Sequence, residues 1–186
     1  LGSCIGMAGI LESLGKKVRI VCSDRVPANL AFIDPDHKVL QIGTDIQMED
    51  LADADLHMIL DTSAWDQLGK MADVIRNSKA KIIIFDHHEG EDDIPAELFK
   101  NTKAEAVGRM CVEAADHLKV TLTPAIAQPL LAALATDTGW FRFGSVTDVT
   151  FETAAKLLRG GAKPAELYGA LYERESLGRS RLRGLV

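Results

Sequence analysis

Lys81-Ile82-Ile83-Ile84-Phe85-Asp86-His87-His88-Glu89-Gly90 is the stretch on which the reading of this chain turns. Isoleucines and a phenylalanine run without interruption, then give way to an aspartate and a pair of histidines. A short continuous apolar run bounded by polar residues predicts a buried strand of a parallel sheet, covered on both faces. In an open α/β sheet, ligands sit in the crevice outside the carboxyl ends of the strands. The spacing therefore predicts Asp86, His87 and His88 at the working edge of the fold. A lone histidine in such a place reads as an ordinary loop residue, and Asp86 alone could cap the next element. Asp-His-His together at the end of a buried strand reads as a site.

Outward from that strand, elements of two kinds alternate. Residues 18–22, 39–42 and 56–61 read as further strands, the last ending in Asp61. Residues 1–14 predict an amphipathic helix that starts at Gly2-Ser3 and stops at Gly15. Residues 48–54 predict a brief helix, and 66–77 a longer one with Leu68, Met71, Val74 and Ile75 on one face. Residues 102–118 predict the next helix. Thr123-Pro124 then opens another that runs through Leu130 to Leu134 and ends at Asp137. Its unbroken small and apolar residues predict burial on all sides. Residues 148–158 and 164–172 read as two helices joined by Gly160-Gly161. Strands alternating with helices predict an α/β fold, a mostly parallel sheet sandwiched by helices. The expected division is a catalytic α/β unit over 1–145 and a helical extension over 146–186.

Composition bounds the function. The chain has 186 residues, 47% of them hydrophobic, and a formal net charge of -6. That balance argues against a long non-specific grip on nucleic acid, which needs many phosphate contacts. A short nucleotide held by metal and a few arginines remains compatible with it. Cys4, Cys22 and Cys111 are widely spaced and form no Cys-x-x-Cys, so a disulfide framework is not expected and a reducing, cytoplasmic setting is. No apolar run reaches the roughly 20 residues of a membrane span, and no signal peptide is visible. The chain opens at Leu1 without a methionine, and both ends read as cut. Arg174, Arg179, Arg181 and Arg183 surround the 176–185 segment, which reads as a solvated helix face or, in the rarer alternative, a phosphate-facing one.

Asp61, Asp86 and Asp137 each end an element. Singly, Asp61 could cap a helix and Asp137 could sit in the turn before Gly139. Together with imidazole they suit a hard divalent ion such as Mn²⁺, since an ionised carboxylate beside a core is costly unless paired or metal-bound. Two such ions roughly 3.5–4 Å apart can activate a water and clamp a phosphate oxygen, which is phosphoester hydrolysis.

The motifs in order resemble a known family, the DHH phosphoesterases. Asp86-His87-His88 after an isoleucine-rich strand is similar to the motif that names it. Leu60-Asp61-Thr62-Ser63 resembles its second motif, and Ala135-Thr136-Asp137-Thr138-Gly139 with Phe141-Arg142-Phe143 its fourth. Leu1-Gly2-Ser3 resembles the tail of its first, whose acids would precede Leu1. The segment after Thr150 resembles the branch of oligoribonucleases and phosphoadenosine-phosphate phosphatases. The resemblance implies Mn²⁺-dependent hydrolysis of short oligonucleotides or nucleotides, with two ions in the intact protein and Mg²⁺ as an alternative metal. It implies that Asp61 bridges the ions, that His87 and Asp137 ligate the second, and that His88 faces the scissile phosphate. Asp86 either orients the imidazoles or touches the metal. Ser3 and Arg142 are expected near the substrate. A smaller substrate-binding domain beyond residue 186 and a homodimer are further implications; contact with a membrane is not. Rival readings are a RecJ-like exonuclease, a cyclic-dinucleotide phosphodiesterase, a pyrophosphatase and a non-catalytic nucleotide-binding domain.

Overall fold

The computed structural model describes residues 1–174, together with Gly178, Arg181 and Gly184. The arginine-rich 176–185 segment read from the sequence lies outside the described residues except at those positions. The helices are α1 (Gly2–Ser13), α2 (Trp65–Leu68), α3 (Met71–Asn77), α4 (Val107–His117), α5 (Pro124–Asp137), α6 (Asp148–Arg159) and α7 (Pro164–Tyr168). The strands are β1 (Ile20–Cys22), β2 (Val39–Gln41), β3 (Leu56–Leu60), β4 (Lys81–Asp86) and β5 (Glu97–Lys100). β1 and β2 form a two-stranded sheet, and β3, β4 and β5 a three-stranded one with β4 at its centre. Every one of these pairings is parallel, as the alternating pattern predicts.

Register places the site. Leu60 pairs with Phe85, and Asp86 with Lys100, so β3, β4 and β5 run out at one edge. The Asp61 amide then donates to the Phe85 carbonyl at 2.9 Å, which continues the ladder one residue past β3. Successive side chains of a strand point to opposite faces. On β4 this puts Ile82, Ile84 and Asp86 on one buried face. Ile82 and Ile84 pack with Ile59 against Leu68, Ala72 and Ile75 of α2 and α3. On the opposite face, Phe85, Met58 and Leu60 pack against the larger core built from α1, α4 and α5. Helices therefore cover both faces, as expected.

α5 is the centre of that larger core. Leu130, Leu131 and Leu134 are wholly buried, and each contributes about 2 kcal/mol by leaving water. The apolar character read all round this helix reflects neighbours on all sides. α1 lies against it through glycines. Gly2, Gly6 and Gly9 recur at helical spacing on one face. A Cβ at these positions would come within 2.4 Å of the Pro129 carbonyl oxygen, 2.3 Å of Leu130 Cδ2 and 2.7 Å of Ile126 Cγ1. Small residues thus let the two helices touch. The expected single apolar stripe on α1 is not what forms: Met7, Ala8 and Ile10 are buried, Ile5 and Leu11 are partly buried, and Leu14 is 41% exposed.

Other boundaries differ from the sequence reading for local reasons. The helix expected over 66–77 is two, because Gly69 takes φ +52° between them. A Cβ there would lie 2.8 Å from Ser23 Oγ, whose hydroxyl donates to the Leu68 carbonyl. The helix expected from 102 begins only at Val107, since 102–106 cross the edge of the sheet as a loop. The helix expected over 48–54 is a single 3₁₀ turn, Glu49–Leu51, and residues past Tyr168 widen into a π turn, Gly169–Glu173. β3 is less buried than its apolar run suggests, with Ile59 inside and Leu56 39% exposed. β5 and the 3₁₀ helix Ala28–Ile33 were not expected; neither carries a strong apolar period. Among the described residues no helix is long and apolar enough to cross a membrane.

Candidate metal centre

Asp86 anchors the edge. It is fully buried, and its carboxylate is met by protein donors on both oxygens. Oδ1 accepts from the His87 amide at 2.8 Å, the His88 amide at 3.2 Å and His88 Nδ1 at 2.7 Å. Oδ2 accepts from the Ser63 hydroxyl at 2.5 Å. Burial opposes the charge, but the Ser63 and His88 hydrogen bonds outweigh it and hold the carboxyl below its ordinary value. With these partners Asp86 holds the His88 ring and the backbone amides of both histidines.

The two imidazoles are fixed in one tautomer each. His87 Nδ1 lies 3.0 Å from the Ala104 carbonyl oxygen, which can only accept, so Nδ1 carries the proton. His88 Nδ1 donates to Asp86 in the same way. Both Nε2 atoms are thereby left for another partner, the arrangement a carbonyl or carboxylate behind the ring gives a metal-binding histidine. His87 Nε2 stands 3.4 Å from Asp61 Oδ1. The rings meet edge to face with centroids 4.5 Å apart. Ligand atoms of Asp61, His87 and His88 all lie within 4.8 Å of one another.

Among the described residues, two carboxylate oxygens in and near this cluster lack hydrogen-bond donors. Asp61 Oδ1 and Asp137 Oδ2 are buried without a hydrogen-bond partner. Asp61 itself follows β3 at φ +75°, a left-handed conformation that aspartate tolerates better than most residues. The Asp61 carboxylate, helped by the Ala104 carbonyl and the charge of Asp137, overcomes burial and lifts His87 to about 9. Burial, then the charge of Asp61, pushes Asp137 up to about 6. In the metal-free protein a proton on His87 therefore balances Asp61 at neutral pH. A divalent cation could take that proton's place beside the orphaned Asp61 oxygen. The donor set of carboxylate and imidazole nitrogens fits such an ion. Among the described residues, Asp61, His87 and His88 are those whose ligand atoms lie close enough together to hold it.

Of the residues read from the sequence, Asp61, Asp86, His87 and His88 come together, from the ends of neighbouring strands. Asp137 joins them from the end of α5 through its charge, outside the tight three-residue cluster. Ser3 is buried in the first turn of α1, where its carbonyl meets Cys111 Sγ at 3.9 Å. Among the described residues no hydrogen bond joins Ser3 to the cluster. Arg142 is exposed and its Nε donates to the Gly139 carbonyl at 2.7 Å. Ser63 was missed as a site residue although it lies two positions past Asp61; a serine gives no signal until the loop after β3 brings its hydroxyl onto Asp86. Lys100 was missed too. Its ammonium donates to the Gly90 carbonyl at 2.7 Å and to Glu91 at 3.0 Å, tying down the loop after His88.

Parallel strands ending in acids and a paired Asp-His-His define an α/β domain with a candidate metal centre at its strand ends, and comparison with known proteins gives the family. Residues 1–134 match the DHH family, N-terminal domain, and the chain belongs to that family. It is 33% identical over 100 residues to the bifunctional oligoribonuclease and PAP phosphatase NrnA of Bacillus subtilis (strain 168), covering 52% of this chain and 32% of that protein. It is 36% identical over 86 residues to the protein of the same name from Thermus thermophilus, covering 46% of this chain and 26% of that one. The fold superposes at a TM-score of 0.93 and 22% identity on the crystal structure of an exopolyphosphatase-related protein from Bacteroides fragilis. There the whole of this chain is matched, and it spans 56% of the other.

Proposed function

We propose that this chain is the catalytic domain of a metal-dependent phosphoesterase acting on short oligonucleotides or on nucleotides such as 3′-phosphoadenosine 5′-phosphate. The observation that carries the reading is the convergence of Asp61, His87 and His88 beside two buried, unpartnered carboxylate oxygens. Membership of the DHH family and the likeness to the two NrnA proteins support the same class of substrate. Asp61, His87 and Asp137 would hold the ion, Mn²⁺ in this proposal with Mg²⁺ as the substitute, and a second ion would complete the intact centre. Bound there, the metal would lower the pKa of a water and polarise a phosphoryl oxygen. His88 supplies an exposed Nε2 whose ring is held by Asp86; protonated, it donates to the phosphate oxygen on which charge develops. His87, locked by Ala104, keeps its Nε2 turned toward Asp61. Residues 1–145 form the catalytic unit in this proposal, and 146–186 lead toward a substrate-binding domain. The setting is cytoplasmic and the assembly a homodimer.

The test is hydrolysis of a short 5′-labelled RNA and of 3′-phosphoadenosine 5′-phosphate by the full-length protein, with and without Mn²⁺. Metal-dependent release of mononucleotide or phosphate supports the reading and separates the two substrates. A second reading, a nucleotide-binding domain without catalysis, is favoured by the place of Asp137 outside the tight cluster. Binding of nucleotide with no turnover in either assay would select it.

A further inference from the structure

The turn that follows Asp137 is built with unusual care. Thr138, fully buried, ends α5. Its hydroxyl donates to the Leu134 carbonyl at 2.7 Å and accepts from the Phe141 amide at 3.1 Å. Its carbonyl accepts from the amides of Arg142 at 2.9 Å and Phe143 at 3.1 Å. Gly139, Trp140 and Phe141 then follow one another at φ +55°, +58° and +60°. Left-handed backbone at consecutive bulky aromatics is strained, and such strain persists where the surroundings over-determine it.

The strain delivers the aromatics to different tasks. Trp140 packs edge-on to Tyr168 and Tyr172, with centroids 4.9 and 5.8 Å away, and Phe141 stacks on Phe151 at 5.7 Å. Those rings hold the turn against the C-terminal helices. Phe143 is different: it is 55% exposed, and its ring lies over Gly139. A Cβ on Gly139 would sit 2.4 Å from Phe143 Cε1 and Cζ, so only glycine lets the ring rest there. Arg142 is moored to the same glycine through Nε, and among the described residues its terminal amino groups form no ion pair. An open aromatic face and a guanidinium are thus fixed side by side, within a few residues of Asp137.

We infer that Phe143 is a specificity-determining residue, a platform on which the nucleobase of the substrate stacks while Arg142 pairs with a neighbouring phosphate. This rests on the nucleotide-hydrolysing reading above and goes further in naming what distinguishes a nucleotide from another phosphoester. Stacking engages the π-face that every base has, so the platform selects nucleotides over base-free phosphates without choosing among bases. The guanidinium supplies the anion contact that a phosphate prefers.

The experiment is calorimetric titration of the full-length protein, loaded with Mn²⁺, with adenosine 5′-monophosphate and separately with ribose 5-phosphate. Phe143→Ala should weaken the first by roughly fivefold to a hundredfold, the range base–aromatic stacking spans. Ribose 5-phosphate should bind both proteins alike, and Phe143→Trp should restore the nucleotide. Arg142→Gln should weaken both ligands. Equal loss for both ligands on Phe143→Ala, no loss of the nucleotide, or no rescue by tryptophan would each overturn the inference. Its failure is separable from that of the catalytic reading: wild-type hydrolysis with no effect of Phe143 refutes the platform alone, and a Phe143-dependent affinity without hydrolysis refutes the phosphoesterase alone.

Discussion

Ser63→Ala should destabilise this domain far more than the loss of a single hydroxyl from a loop would suggest. Among the described residues, the Ser63 side chain gives Asp86 Oδ2 its one hydrogen bond, at 2.5 Å, while the other three donors reach Oδ1. Asp86 is wholly buried and Ser63 3% exposed. Removing the hydroxyl therefore strands half of an ionised carboxylate, and no neighbour stands ready to replace it. A hydrogen bond to a charged group is worth about 1.5–3 kcal/mol, and leaving its buried partner unsatisfied adds to the loss. The expected destabilisation is about 2–3 kcal/mol, or roughly 4–10 °C in Tm for a chain of this size. pH sharpens the test. The Asp86 carboxyl is held below its ordinary 3.8, so its contribution is present above that value and fades as pH falls through the folded-state value. Urea denaturation should show the deficit in full at neutral pH and a smaller one in acid, with an unchanged slope. Ser13→Ala, which removes an exposed helix-end hydroxyl bonded to the Gly9 carbonyl, serves as the control and should stay within about 0.5 kcal/mol. A Ser63→Ala protein as stable as the control at neutral pH would refute the account of Asp86 as a carboxylate that depends on this donor.

Other perturbations follow from the same geometry. Asp61→Asn keeps a side chain that accepts left-handed backbone, whereas alanine at φ +75° would add about 1–2 kcal/mol of backbone strain. The asparagine variant should retain the fold, lose Mn²⁺ affinity by calorimetry, and let His87 fall from about 9 toward its ordinary 6.5 in an NMR titration. Because His87 is raised in the folded state, its pairing stabilises metal-free protein fully below pH 6.5 and is lost as pH rises through about 9. The stability gap between wild type and Asp61→Asn should accordingly close above pH 9, read by chemical denaturation in chelator. Gly6→Ala brings a Cβ to 2.3 Å from buried Leu130. It should lower stability by about 1–3 kcal/mol in thermal melts, although alanine is the better helix former.

The site edge was legible because apolar runs that stop at an acid are the signature of parallel strands, and β3 and β4 both have it. α5 was legible for a related reason: a helix with no polar face has to be surrounded. The parts that stayed hidden depend on contacts between distant segments. Nothing in Gly2, Gly6 and Gly9 announces α5 as their partner, and the loss of a single apolar stripe on α1 follows from that packing. Ser63 becomes a site residue only when the loop after β3 folds its hydroxyl onto Asp86. Gly69 breaks a helix because Ser23 occupies the space behind it. The order of the motifs pointed to the family before any fold was known, while the division of labour between Asp86 as orienter and Asp61 as charge partner needed the hydrogen bonds.

The wholly parallel pairing of the strands bears on how the chain comes to own its site. Parallel neighbours cannot be joined by a tight hairpin; each pairing waits for a crossover to be threaded and closed. Such non-local topologies fold slowly, because loop closure must precede the contacts that reward it. Asp61, His87 and Asp137 stand at the ends of three different elements, β3, β4 and α5, so none of them has its neighbours until those crossovers are complete. A partly folded chain would expose its apolar strands yet have no assembled grip on a cation. Binding of a divalent cation at this site should therefore be among the last events of folding, and such an ion would act as a lock on the finished topology and not a nucleus for it.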